Sequence, residues 1–384
     1  MGRRVGIIGV GQTHHASQRL DASGVELISE AVSRALDDAG LSMRQVDAFV
    51  IGNMDHFENI NYVDMWATDG LGSSMSPVLK CTTGGTTGNT VAAAAYYHVA
   101  SGFFDVVLAV GWEKNSESDT QAAIATCANP VLERDAFAGA IGPLATEYSM
   151  YMKAYGATEE DAAIVAARDR NNALNNPYAH NRMHVTVQDV LNSPMLAYPI
   201  KFLDMCPRSD GACAVLFASE QAAGKHCDRP AWIHASVVRH DFSYLGDLEW
   251  TRLYTLETAS AAAYRYAGIT DPLKQFDVAE LYLPASTCAV KWMDSLLFCE
   301  RGGAPGLVRS GATHMDGVLP VNPSGGVIST NPIGATAMIR VGEAAWQVMG
   351  RAGDRQVGRV RKALATGYGG CAWSNVMILG EDLP

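Results

Sequence analysis

Apolar residues in this chain follow two rhythms. Runs such as "RRVGIIGVGQT" are apolar almost throughout and carry glycine, as buried strands do. By contrast, "VELISEAVSRAL" spaces its apolar positions three and four apart, which predicts a helix from about Gly24 to Ala39. A turn and a second buried strand follow in "AGLSMRQVDAFVIG". The stretch "LKCTTGGTTGNTVAAAAYYHVASG", Leu79 to Gly102, then reads as a strand end, a glycine-rich turn and a helix start. Glycines in the first strand match a dinucleotide fingerprint only loosely and assign no cofactor.

The same succession returns later, in "SAAAYRYAGITDPLKQFDVAELYLP". Gly40 with Asp47 answers to Gly268 with Asp277. "GTTGNT", Gly85 to Thr90, answers to "NPIGAT", Asn331 to Thr336, each before a small-residue-rich helix and a strand. Matched βα units in one order predict an α/β protein of two duplicated halves, residues 1–245 and 246–384. Between them, Asn115 to Leu245 is rich in Met, Asn and aromatics and predicts an inserted, mostly helical cap centred on about 115–200. Such insertions often build substrate sites. A pseudo-twofold relation of the halves would aim the helix N-termini at Gly85 and Asn331 toward one centre, where they could hold an oxyanion such as a thioester enolate.

Composition narrows the partners. With 384 residues, 48% of them apolar, the chain can bury a large core. Its eight cysteines are scattered without a CxxC pair, so neither a zinc site nor a disulfide framework is expected. No signal peptide is evident, and free thiols in a reducing cytoplasm are the expectation. No apolar run reaches the length of a membrane span. A net charge of −11 argues against nucleic acid but leaves room for an anionic small ligand beside a few local cations. His180 and His184 stand one helical turn apart with no third ligand in view, so no metal is expected. Cys81 opens a glycine-rich turn before a helix, where backbone N–H groups would favour a thiolate nucleophile.

Three longer motifs carry a resemblance: "YGATEEDAAIVAARDRNNALNNPYA", "CPRSDGACAVLFASEQA" and "GGVISTNPIGATAMIRVGEAAWQVMGRAGDRQV". They resemble the thiolase superfamily, most closely sterol-carrier-protein-x type thiolases and their lipid-transfer-protein relatives, over nearly the whole chain. The resemblance implies a five-layered αβαβα fold, a homodimer and acyl-CoA substrates, with CoA present as part of the substrate and no bound cofactor. In that family the nucleophilic cysteine precedes a "GxEK" strand end at a near-constant distance. Counting back from "GWEK", Gly111 to Lys114, places Gly85 at the nucleophile position. Placing Cys81 there would require an insertion in the following helix and spoil the match of Gly88 and Thr90. Tyr282 stands for the family's catalytic His and Pro284 for its second Cys. Asn331 stands for the "GHP" His, and the family's oxyanion Asn falls near Cys288.

A chain without that nucleophile can still cleave carbon–carbon bonds non-covalently. The resemblance therefore points to the Cys-lacking aldolases of steroid side-chain degradation. These release a ketone and a short acyl-CoA such as propionyl-CoA, in complex with an OB-fold accessory protein that can bear a zinc ribbon. Tyr282, Tyr244 and Tyr368 are the candidate acid/base residues. Gly85, Asn331, Gly370 and Cys371 are candidates for the oxyanion and substrate site. Asn331 also suits a helix N-cap before Pro332. Two other readings stay open: a thiolase for an unusual β-ketoacyl-CoA, aromatic or steroid, with Cys81 or Cys371 displaced into the site, and an inactive acyl-CoA-binding or scaffold subunit.

Overall fold

The computed structural model describes residues 2–54, 63–135, 139–242, 244–370 and 373–384. Strand β1 (Val5–Gln12) leads into helix α1 (Gly24–Ala39), whose bounds are those the periodicity predicts. Ser23 and Glu26 cap its start reciprocally, and Gly40 ends it at φ 63°, where glycine pays no Cβ penalty. Next come β2 (Ala48–Gly52), α2 (Val63–Leu71), β3 (Val78–Lys80), α3 (Thr87–Ala100) and β4 (Val106–Lys114). The insertion holds α4 (Thr120–Ala125), α5 (Ile141–Tyr155), α6 (Glu159–Asn172) and α7 (Val187–Asn192), then β5 (Met195–Ala197) paired with β6 (Ile200–Lys201). β7 (Asp210–Ser219), α8 (Glu220–His226) and β8 (Ala231–His240) return the chain to the main sheet. The remainder runs through α9 (Tyr254–Ala267), α10 (Pro272–Gln275), β9 (Val278–Glu280), α11 (Ser286–Ser295) and α12 (Ala304–Arg309). It ends with α13 (Gly326–Ser329), α14 (Ile333–Met349), β10 (Lys362–Gly369) and β11 (Trp373–Gly380).

The main sheet has the order β3-β2-β4-β7-β1-β8-β11-β10-β9. Its two parts repeat each other. β2 lies parallel to β4 as β9 lies parallel to β10, and antiparallel pairings β4–β7–β1 recur as β10–β11–β8. The duplication extends to single hydrogen bonds. Asp47 accepts from the N–H groups of Asp105 and Val106 at 2.8 and 2.9 Å. Asp277 accepts from Arg361 and Lys362 at the same two distances. Gly268 ends α9 at φ 67°, as Gly40 ends α1.

Two boundaries move. The cap does not run on to Leu245, because β7 and β8 are core strands of the main sheet. β8 pairs extensively with β11, so the second half begins before Ala231 and not at residue 246.

Helices α3 and α14 form the middle layer, each packed on strands of both halves, while α1 and α9 cover the outer faces. Gly88 lets the two touch: a Cβ there would lie 2.4 Å from the Met338 nitrogen. Every residue of α14 from Gly334 to Met349 is buried, so its polar side chains need partners. Arg340 pairs with Glu280 of β9. Glu343 takes Arg355 at 2.9 Å and Gln12 of β1 at 2.8 Å. Among the described residues no helix is long and apolar enough to cross a membrane.

Candidate active site

A cavity of about 630 Å³ opens between the insertion and the α3/α14 layer. Gly85, Asn331, Tyr282, Tyr368 and Gly370 all line it, so the structure brings together most of the residues predicted for the site. Its outer wall is apolar, supplied by Met183, Leu196 and Phe202 from the insertion and Ile124 from α4. Asp119 is the single carboxylate among the described lining residues, and Arg170 and Arg208 are the cations.

Gly85 and Tyr282 meet at the floor. A Cβ built on Gly85 would lie 3.0 Å from the Tyr282 hydroxyl and 2.5 Å from the Tyr368 carbonyl oxygen. The space a nucleophilic side chain would use is thus taken by a phenol and a strand end. Tyr282 extends from the loop after β9, its N–H donating to Thr366 Oγ1 at 2.9 Å. Burial pushes its phenol well above the usual tyrosine range, with the neighbouring Cys206 adding to the shift and Arg340 opposing it. Burial therefore favours the protonated phenol, which suits the acid side of the expected acid/base role.

At the start of α3, a Cβ on Gly369 would sit 2.9 Å from the nitrogens of both Gly85 and Thr86. Glycine at this position leaves those nitrogens uncovered by a side chain. The start of α14 behaves differently. The Glu113 side chain accepts from the Gly334 N–H at 3.0 Å and the Met54 N–H at 2.9 Å through one oxygen, so the second helix N-terminus is already occupied by the chain's own carboxyl group. The two helix starts do not form a paired oxyanion site.

Asn331 is not an N-cap either. α14 is entered through Pro332, and the Asn331 Oδ1 accepts from Thr336 Oγ1 at 2.7 Å. Its Nδ2 donates to Cys206 Sγ at 3.2 Å. Cys206 also lines the cavity, and burial pushes its thiol up to about 11 against the pull of the Asn331 amide. The loop carrying it is tied down. Arg170 donates to the carbonyls of Leu203 and Met205 at 2.9 and 3.0 Å, and the Cys206 N–H donates to the Pro284 carbonyl at 3.0 Å.

The remaining predicted residues lie elsewhere. Cys81 is absent from the lining; it packs against the core of the first half, its N–H held by the Ile51 carbonyl, and burial raises its thiol. Tyr244 is exposed and does not reach the cavity lining, because its loop leaves the sheet after β8. Tyr368, by contrast, is on the cavity wall, buried with its ring centroid 4.4 Å from that of Trp292. Cys288 is buried in α11 and also absent from the lining. Cys371 lies outside the described residues. Sequence reasoning missed Asp119, Cys127 and Cys206 as wall residues, since loop packing alone brings them there.

Comparison with known proteins agrees with this architecture. A model of the thiolase N-terminal domain matches residues 5–190, and one of a thiolase C-terminal domain-like region matches 239–381. The acetyl-CoA acetyltransferase of Methanothermobacter thermautotrophicus is 33% identical over 377 residues, covering 96% of this chain and 97% of its own. Sterol carrier protein 2 of Gallus gallus is 28% identical over 400 residues, covering 99% of this chain and 72% of its own. The solved Ltp2-ChsH2(DUF35) aldolase aligns with a TM-score of 0.86 at 25% identity, over 99% of this chain and 98% of that one.

Proposed function

Because this chain belongs to the thiolase family, we propose that it keeps the family's acyl-CoA cleft and uses it as a lyase, cleaving a bulky β-hydroxyacyl-CoA into a ketone and a short acyl-CoA. The observation that carries the reading is the crowding at Gly85, where the first carbon of a nucleophile would lie 2.5 Å from the Tyr368 carbonyl oxygen and 3.0 Å from the Tyr282 hydroxyl. A thiolase step needs a side chain there to hold the acyl group. A retro-aldol step does not. The Asp119 carboxylate takes the β-hydroxyl proton, the Cα–Cβ bond breaks, and its electron pair passes into the thioester as an enolate. The neutral Tyr282 phenol and the N–H groups at the start of α3 donate to the enolate oxygen as charge builds.

Similarity to the Ltp2-ChsH2(DUF35) aldolase supports this reading and a partner of the DUF35 kind; that the partner carries an OB fold is part of the proposal. A ring system such as a steroid suits the apolar outer wall, and a homodimer suits the family. The thiolase reading draws its support from two acetyl-CoA acetyltransferase relatives, 33% and 32% identical. Purified chain, alone and with an OB-fold partner, should release ketone and acyl-CoA from a β-hydroxyacyl-CoA without forming an acyl-enzyme. Thiolysis of β-ketoacyl-CoA through a covalent acyl-cysteine would overturn the proposal. Activity in neither assay would favour a scaffold subunit.

A further inference from the structure

The retro-aldol reading leaves one chemical need unmet: the enolate carbon must be protonated before the acyl-CoA can leave. Pro284, at the family's second cysteine position, has no proton to give. The structure places a thiol beside it. The Cys206 N–H donates to the Pro284 carbonyl at 3.0 Å, and Met205 pairs with Ala285 in an antiparallel bridge, so the two segments run side by side. Asp204 adds a 2.5 Å bond from Ser286 Oγ, fixing the register of this crossing. From there Cys206 lines the same cavity as Tyr282, Gly85 and Asn331.

We propose that Cys206 is the catalytic acid that protonates the α-carbon, with Asn331 as the positioning residue that aims its thiol. This inference rests on the lyase reading above. The S–H bond breaks as the enolate's C=C electron pair forms the new Cα–H bond, and a lone pair of the enolate oxygen restores the thioester carbonyl. The thiolate left behind is reprotonated by the proton that Asp119 took from the β-hydroxyl, carried through solvent, so no external oxidant or reductant enters. Asn331 is fixed at its other end by Thr336, so its amide N–H reaches Cys206 in a set direction. The burial that raises the thiol also keeps it protonated near neutrality, which suits an acid and disfavours an attacking nucleophile.

The test is hydrogen exchange at the α-carbon of propionyl-CoA in D₂O, followed by mass spectrometry, beside a separate assay of ketone release. Wild-type protein should exchange the α-protons, and Cys206→Ala should exchange them at least about 100-fold more slowly. Cys206→Ser keeps the side-chain size, should melt close to wild type, and should show the same loss. Asn331→Ala should slow exchange less and shift its pH profile, a change that a packing role alone would not produce. Cys81→Ala serves as the control and should exchange normally. Exchange by both Cys206 variants at the wild-type rate would overturn the proposal while leaving ketone release, and so the lyase reading, intact. Wild-type exchange that Cys206 variants lose, without any ketone release, would instead remove the lyase reading and keep the acid. Wild-type protein that does not exchange at all would overturn the proposal.

Discussion

The Tyr282 hydroxyl ends 3.0 Å from the point a β-carbon would occupy on Gly85. A side chain at Gly85 would be crowded by this hydroxyl and, at 2.5 Å, by the Tyr368 carbonyl oxygen. Gly85→Cys should not restore thiolase chemistry. Its Cβ would press to 2.5 Å from the Tyr368 carbonyl, a backbone atom that moves only with β10. A stability loss of about 1–3 kcal/mol is expected by chemical denaturation. Intact-mass analysis with acyl-CoA should show no acylated protein; a stable acyl adduct at position 85 would contradict this picture.

Tyr282→Phe separates chemistry from packing. The ring stays, and the hydroxyl makes no hydrogen bond with other described residues, so the melting temperature should change little. Loss of one donor to the developing oxyanion should lower kcat for cleavage by about 10²–10³. Tyr244→Phe, at an exposed tyrosine away from the cavity, should leave the rate unchanged.

Thiol labelling gives an independent reading of the site. Cys127 is exposed and lines the cavity, whereas Cys81 is half-buried against the core. Iodoacetamide should modify Cys127 first, acyl-CoA should protect it, and inactivation should follow its modification. Peptide mass spectrometry checks the order. Protection of Cys81 by acyl-CoA, with inactivation tracking its alkylation, would return the nucleophile to that turn.

His15 makes stability depend on pH. Its burial lowers the imidazole to about 3, with Arg340 adding to the shift, against about 6.5 when unfolded. Between those values the unfolded chain binds a proton that the folded chain refuses. Stability is therefore intact above about pH 6.5 and falls by about 1.4 kcal/mol per pH unit as pH drops toward 3. Urea unfolding at pH 7 and pH 5 should show the loss, and His15→Gln should flatten it. Gly211→Ala should destabilise at every pH, since its Cβ would lie 2.0 Å from His15 Nδ1.

The pair Arg340–Glu280 joins the central helix to β9 in full burial. Arg340→Ala should cost about 3–5 kcal/mol by leaving a buried carboxylate without its cation. Arg340→Met with Glu280→Gln should recover part of that loss in the same unfolding assay.

Local patterns made the two halves legible. Gly40 and Gly268 ended their helices as expected, and Asp47 and Asp277 proved to make the same pair of backbone bonds. The interval to "GWEK" pointed to Gly85, which lines the cavity, and away from Cys81, which does not. What stayed hidden depends on contacts distant in sequence. Cys206 reaches the wall because a loop crosses Pro284, and Asp119 because α4 closes over the cavity. The Asn331 side chain bonds the Thr336 hydroxyl within α14 and not a first-turn N–H, where Pro332 forms the helix entrance and Glu113 already binds the N–H of Gly334. No periodicity records such a choice.

Glu113 also breaks the equality of the halves. A perfect twofold cleft would accept a thioester in either of two mirrored directions, with an oxyanion welcome at both helix starts. Here one start is occupied by the protein's own carboxyl group, which already takes the Gly334 N–H. A ligand entering the cavity thus meets two unlike helix starts, one of them already spoken for by the chain itself. The duplicated frame carries a built-in direction that its repeated topology does not show.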